Sequence, residues 1–425
     1  MESEKIKNLD ELIKKYHGED VQIVDKKMTN LTAPGENYLS DIFKLDVTIK
    51  NKNGNESIEH YVAKSVLIKP DMPSDMNVEI FKNEILFYTT VIPTIRQFAK
   101  EHGLQDKDVF PELIAARMNL DHTDKTDENA VLILENLAEK GYKNADRHKS
   151  FDLDGAKLIL SDLAIFHAIP LALKIQKPKL FEENIAKICK LPIPPNKRDE
   201  MSPSSPPNPP PPGGDKDGKM KPPNLVPLLT EVAKEDIFCR NHVDKLEKFI
   251  TDMEKKMLEE FGAKTDPSLP FATLCHNDMW LNNTMQLSEQ EKFVKNKFVD
   301  FQMCNVSELF SDLIFFLFSS VDLITLENHL DYLIMFYHEC FIKILEKCKC
   351  DVAPYAYNKF MMKIKDAIPS KFLHIMVMNF FIIYAKKGVM GGPFNMKELT
   401  SSESHPIAKK KFLFLFRKLI ENEWI

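Results

Sequence analysis

The sequence lacks the usual glycine-rich phosphate loops. Its 13 glycines nowhere form G-x-G-x-x-G or G-x-x-x-x-G-K-S/T, so neither a dinucleotide fingerprint nor a P-loop is present. It has no basic excess: 57 Lys and Arg face 63 Asp and Glu, which argues against a nucleic-acid partner whose phosphates must meet a basic face. The seven cysteines (Cys189, Cys239, Cys275, Cys304, Cys340, Cys348, Cys350) are scattered and odd in number, which suits reduced thiols better than a disulfide framework. Long apolar runs are missing too. The stretches 314–318 and 372–384 are short or broken by His374 and Asn379, below the roughly 18 to 20 residues a bilayer span needs. The N-terminal MESEKIKNLDELIKKYHGED has no secretory core and reads as a short amphipathic helix. These absences lead to the expectation of a cytoplasmic protein with no transmembrane segment.

What is present is an ordinary globular composition, 44% apolar and 28% charged over 425 residues, with one local concentration. Of 26 prolines, 13 fall in 192–227. Prolines remove backbone donors, and the accompanying glycines and charges cannot build a core. This segment is expected to be a disordered or polyproline II insertion, and its PxxP spacings leave room for a Pro-rich-motif reader as partner.

From Val21 to Leu67 the pattern is strand-rich. Phe43, Leu45, Val47 and Ile49 alternate with polar residues, NKNGNES follows as a turn, and IEHYVAKSVL returns as a second strand, together an antiparallel hairpin. Val78, Phe81, Ile85, Tyr88 and Ile92 then recur at helical spacing before Pro93, predicting a helix that ends there. Residues 109–118 and 130–134 read as further strands, and helical patterning takes over from Asp152. The fold class expected is α+β.

The strongest chemical signal is FATLCHNDMWLNNTMQ at 271–286, in which a strand-like run ends in His276, Asn277 and Asp278, with Asn283 five residues beyond the aspartate. A second apolar run, Phe298 and Val299, delivers Asp300 and Phe301. Phosphoryl transfer needs such a set: a carboxylate to take or orient the attacking hydroxyl's proton, and oxygen ligands to hold magnesium on the phosphates. Asp278 suits the first role, Asn283 and Asp300 the second, and His276 orients the loop. This reading demands a strand lysine and a helix glutamate upstream. Lys64 lies on the second predicted strand and Glu84 follows 20 residues later on the predicted helix.

HNDMWLNN, VDFQMC, PGENYLS (34–40), FKNEILFYTTVIP (81–93), VLILENL (131–137) and LAIFHA (163–168) together resemble the ecdysteroid kinase-like (CHK kinase-like) family, within the aminoglycoside phosphotransferase and choline kinase branch of the protein-kinase-like fold. The resemblance implies two lobes: residues 1–134 as a β-rich N-terminal lobe, 135–141 as a hinge, and 142–425 as a helical lobe carrying the catalytic and metal loops. It implies ATP and Mg2+ as cofactors and Asp278 as catalytic base. It also implies that Gly35, Asn37 and Ser40 form a loop over the nucleotide, that Glu135, Asn136 and Leu137 face adenine, and that Asp312 braces the catalytic loop. Gly35 is the one glycine of that loop, Asn277 stands where many relatives have glycine, and Asn136 stands where aspartate is common.

Only 11 residues separate Asp300 from Asp312 and no A-P-E element follows, which leaves little room for a peptide-docking platform. The acceptor is therefore expected to be a small-molecule alcohol, with an ecdysteroid suggested by the resemblance. A polar choline- or aminoglycoside-type acceptor, or a pseudokinase acting through the Pro-rich segment, stays open. The apolar residues of 310–318 and 376–384 read as core or as the lining of an acceptor pocket.

Overall fold

A computed structural model describes residues 6–31, 40–67, 74–190, 225–259, 265–384 and 404–425. Gly35 and Asn37, and the insertion up to residue 224, lie outside the described residues. The chain divides into two compact units. The first comprises 1–144, 165–192 and 283–306, and the second 145–164, 193–282 and 307–425. Beyond the N-terminal segment, the first unit thus takes in two stretches that lie far along the chain.

The first unit opens with helix α1 (Leu9–His17) and a five-stranded sheet of order β1-β2-β3-β5-β4. Its strands are β1 (Gln22–Asn30), β2 (Ser40–Lys50), β3 (Glu56–Val66), β4 (Leu113–Arg117) and β5 (Val131–Glu135). The β2–β3 hairpin pairs antiparallel, with Lys50 opposite Glu56. Its turn is held by the Asn51 side chain, which accepts from the backbone N–H of Asn53 and Asn55, while Gly54 takes φ 82°, a conformation costly for a residue with a Cβ. Phe43, Leu45, Val47 and Ile49 are buried against Leu9, Leu12 and Ile13 of α1. Each such side chain contributes roughly 1.5–3 kcal/mol of burial.

Helix α2 (Ser74–Leu86) does not stop before Pro93. It widens into a π segment, Phe87–Val91, and continues as α3 (Ile92–Glu101). Pro93 lacks the N–H that would continue the ladder and its ring crowds the preceding turn, and the π segment just before it is where the helix accommodates this. Thr94 Oγ1 also donates to the Thr90 carbonyl at 2.8 Å. The expected strand 109–118 is shortened to β4, because Pro111 cannot donate to a ladder, and the Val109 carbonyl instead accepts from Phe298 N–H. The unit also holds β6 (Tyr142–Lys143), β8 (Thr284–Glu289) and β9 (Lys292–Phe298) in a sheet of order β6-β8-β9, and the short helix α5 (Pro178–Phe181).

Helix α4 (Leu153–Gln176) is long and apolar enough to cross a membrane by length and composition, but 72% of its apolar window is buried inside the protein, as in a core helix. Asp162, His167 and Pro170 interrupt its apolar run in the sequence.

The second unit contains α6 (Val226–Glu235), α7 (Val243–Glu259), β7 (Ala272–Cys275), α8 (Phe310–Ser320), α9 (Leu323–Lys347), α10 (Tyr357–Val377) and α11 (Pro406–Glu421), with β10 (Asn305–Glu308) entering it at Ser307. Pro227, the last proline of the rich segment, sits in the first turn of α6. The core is aromatic: Phe310 lies 5.0 Å from Phe271 and 5.1 Å from Phe360 between ring centroids. Residues 312–320 are all buried, so this run is core. In 376–384 the described side chains are likewise buried, apart from the half-buried Val377 and Ile382.

Candidate active site

In the first unit, β3 carries Lys64 and α2 carries Glu84. Lys64 is 6% exposed and Glu84 fully buried. Lys64 Nζ donates to Glu84 Oε1 at 2.7 Å and to Asp300 Oδ1 at 2.7 Å. Burial alone would lower the lysine's pKa, but the charges of Asp300 and Glu84 outweigh it and raise it above its ordinary value, which keeps the ammonium charged. Burial pushes the Glu84 carboxyl up, while Lys64 and the backbone N–H of Phe301 pull the other way. The sequence placed Lys64 with Glu84. It did not place Lys64 on Asp300, because 236 residues separate the two.

Asp300 adopts φ 68° and ψ 64°, a left-handed geometry that a non-glycine residue holds only when its surroundings enforce it. Two contacts do so. Gln302 Nε2 donates to Asp300 Oδ2 at 3.2 Å. Phe301 stacks on Phe87 at 4.4 Å and 12° and packs against Tyr88, Phe110 and Phe166 with centroids 5.6 to 6.2 Å away. These ring contacts come from three distant segments and left no local signal.

Asn283 stands just before β8 and Val299 just after its antiparallel partner β9, and the Asn283 carbonyl accepts from Val299 N–H at 3.0 Å, one residue before Asp300. An amide oxygen and a carboxylate suit a hard, oxygen-preferring dication, and each Asp300 oxygen keeps lone-pair capacity beyond its one donor.

Of the remaining nucleotide-site candidates, Ser40 is buried at the start of β2, opposite Val66. Glu135 ends β5 and its carboxylate accepts from Glu112 N–H at 2.8 Å and from Lys140. Asn136 N–H donates to the His60 carbonyl, and its Oδ1 accepts from Ala138 N–H at 3.1 Å. That turn-capping bond explains the tolerance of Asn at this position. The Leu137 carbonyl accepts from Lys140 and Tyr142 N–H.

In the second unit, Asp312 lies in the first turn of α8, fully buried, where a helix N-terminus favours negative charge. Its Oδ2 accepts from His276 N–H at 2.6 Å and its Oδ1 from Asn277 N–H at 2.7 Å. Asn277 sits at φ 61°, and its Oδ1 accepts from Ser307 Oγ at 3.2 Å. His276 is buried, and Asp278 is half-buried with its carbonyl accepting from Trp280 N–H. Leu281 N–H donates to Ser320 Oγ at 2.9 Å. The loop bearing Asp278 is thus fastened by Asp312, Ser307 and Ser320. Of these three, the sequence named Asp312 alone, since a serine hydroxyl leaves no pattern.

No curated protein matches the chain. Among solved structures, it is similar to the GDP complex of wild-type aminoglycoside 2'-phosphotransferase-IIIa, at 11% identity and TM-score 0.37 over 97% of this chain and 98% of that one. It is also similar to the ADP-bound aminoglycoside phosphotransferase APH(2'')-Ib, at 13% identity and TM-score 0.36 over 96% and 97%. The ecdysteroid kinase-like family model matches residues 34–204 and 224–350, most of the chain, and its gap falls inside the Pro-rich stretch. The residues that carried the resemblance lie within that match, and the chain belongs to the ecdysteroid kinase-like family.

Proposed function

We propose that the protein is an ATP- and magnesium-dependent kinase that moves the γ-phosphoryl group to a hydroxyl of a lipophilic alcohol, a steroid such as an ecdysteroid. The observation that carries this reading is the buried Lys64, whose ammonium bridges Glu84 and Asp300 at 2.7 Å each. A buried cation held charged beside the Asp300 carboxylate, one residue from the backbone bond that joins Val299 to Asn283, suits a triphosphate and its metal. Magnesium, when bound, would neutralise charge on the β and γ phosphate oxygens, with Asn283 and Asp300 as its protein ligands.

Asp278 takes the proton of the acceptor hydroxyl as its oxygen bonds to the γ phosphorus and the bond from phosphorus to the bridging oxygen breaks, leaving ADP. Asp312, by holding the N–H groups of His276 and Asn277, fixes the backbone that presents Asp278. Lys64 steadies the α and β phosphates. Family membership supports the reaction class, and the steroid rests on the family's name.

The test is incubation with Mg-ATP and ecdysteroids, choline, aminoglycosides and phenolic alcohols, with phosphorylated product read by mass spectrometry. Transfer to a steroid is the expected result. Transfer to choline or an aminoglycoside alone would move the acceptor to the polar class, and nucleotide binding without turnover on any acceptor would overturn the kinase reading.

A further inference from the structure

The first unit contains a cavity of about 230 Å³ that the proposed reaction does not use. Its walls include Ile95 and Ala99 of α3, Leu104 and Phe110 of the following segment, and Phe166 and Ile169 of α4, all buried. A dry apolar cavity of about 150 Å³ already accepts a benzene ring, so this one has room for a ring or a short alkyl chain. Its mouth is cationic. Among the described lining residues the acid is Asp108, and it is held by Arg96 Nη2 at 2.8 Å and by Lys297 Nζ at 3.6 Å. Lys100 and Lys107 line the same opening, are exposed, and carry no ion pair among the described residues.

We propose that this cavity is a binding site for a small amphipathic anion, an alkyl or aryl carboxylate whose apolar body lies against Phe110 and Phe166 and whose carboxylate meets Lys100 and Lys107. The apolar walls select the body, since they lose dispersion contacts on the empty side. The two lysines select the charge.

The site is wired to Asp300. Phe110 and Phe166, two of its walls, pack on Phe301 with centroids at 5.6 and 6.2 Å. Lys297, on the strand that delivers Asp300, donates to the Phe110 carbonyl at 2.7 Å and to the Asp108 carbonyl at 3.2 Å. Phe298 N–H donates to the Val109 carbonyl. A ligand that braces Phe110 and Phe166 therefore braces the strained residue beside Phe301. This consequence rests on the metal role proposed for Asp300; the binding itself does not.

The test is calorimetric titration of the full chain, without nucleotide, with octanoate and with 1-octanol as the neutral control. Saturable octanoate binding is expected, at least tenfold tighter than 1-octanol. The Lys100→Glu, Lys107→Glu double variant should weaken octanoate at least fivefold and leave 1-octanol unchanged. Ala99→Phe, which fills the cavity, should abolish both. Absence of saturable octanoate binding, equal affinity for the alcohol, or indifference to the surface double variant overturns the site. In an active preparation, saturating octanoate should shift the half-saturating magnesium concentration at least twofold, and no shift would overturn the link to Asp300. Octanoate binding as predicted, in a protein that transfers phosphate to no acceptor, would support the site and count against the kinase reading.

Discussion

Helix α11 closes the second unit with a lysine where a hydrophobic residue would be ordinary. Lys411 is 2% exposed; its ammonium donates to the Ser319 carbonyl at 3.1 Å and lies 5.5 Å from the Tyr384 ring centroid. Burial pushes the ammonium down from 10.5 to about 7, with Asp322 acting in the opposite direction. In the unfolded chain the same group titrates near its ordinary value. Between these two values the unfolded state holds more protons, so this group's contribution to stability rises with pH. The cost of burying the charge is borne in full below about 7 and is relieved as pH rises to 10.5. At about 1.36 kcal/mol per pH unit, the whole window is worth on the order of 5 kcal/mol, and the part between pH 7 and 9 about 3 kcal/mol.

Replacing Lys411 by Met keeps the packed length and removes the charge. Urea unfolding of both proteins at pH 6.5 and 9 measures the effect, and other titrating groups cancel in the difference. The variant is expected to be the more stable protein at pH 6.5, less about 1 kcal/mol for the lost hydrogen bond. Its advantage should shrink by about 3 kcal/mol at pH 9. An equal difference at both pH values would refute the reasoning.

Lys64→Met should cost roughly 3–5 kcal/mol in urea unfolding, because it leaves Glu84 buried without its cation; the double variant with Glu84→Gln should lose less, and the reverse order would show that the pair is not coupled. In ATP titrations Lys64→Ala should weaken nucleotide binding, and an unaltered affinity would place the phosphate grip elsewhere. Asn277→Gly should be more stable than Asn277→Ala by about 1 kcal/mol in thermal unfolding, since the position is left-handed; the opposite ranking would contradict that geometry. Deleting residues 196–221 should leave ATP affinity unchanged, measured by the same titration, and a loss of binding would give the insertion a structural role.

Much of the candidate site was legible because its residues fall in short motifs. Asp278, Asn283 and Asp300 sit at fixed spacings after strands, and Lys64 and Glu84 fall on elements whose periodicity was visible. The hairpin was readable from alternation and from the Asn51 to Asn55 turn chemistry. Other features depend on tertiary packing and could not be read. The bond from Lys64 to Asp300 joins distant segments. The Phe301 nest is built from rings that any core would bury. The passage of the helix through Pro93 depends on a π turn that no residue type encodes. In the sequence Lys411 is one cation of the basic run KKKFLFLFRK, and only packing turns its side chain inward.

In the proposed mechanism Asp278 acts on the acceptor hydroxyl while other residues hold the nucleotide. The most direct measurement compares Asp278→Asn with the unaltered protein in turnover on the best acceptor and in ATP affinity. A fall in kcat of roughly 10²–10⁴-fold is expected, with ATP affinity kept within a few-fold. Turnover that survives the substitution would contradict it.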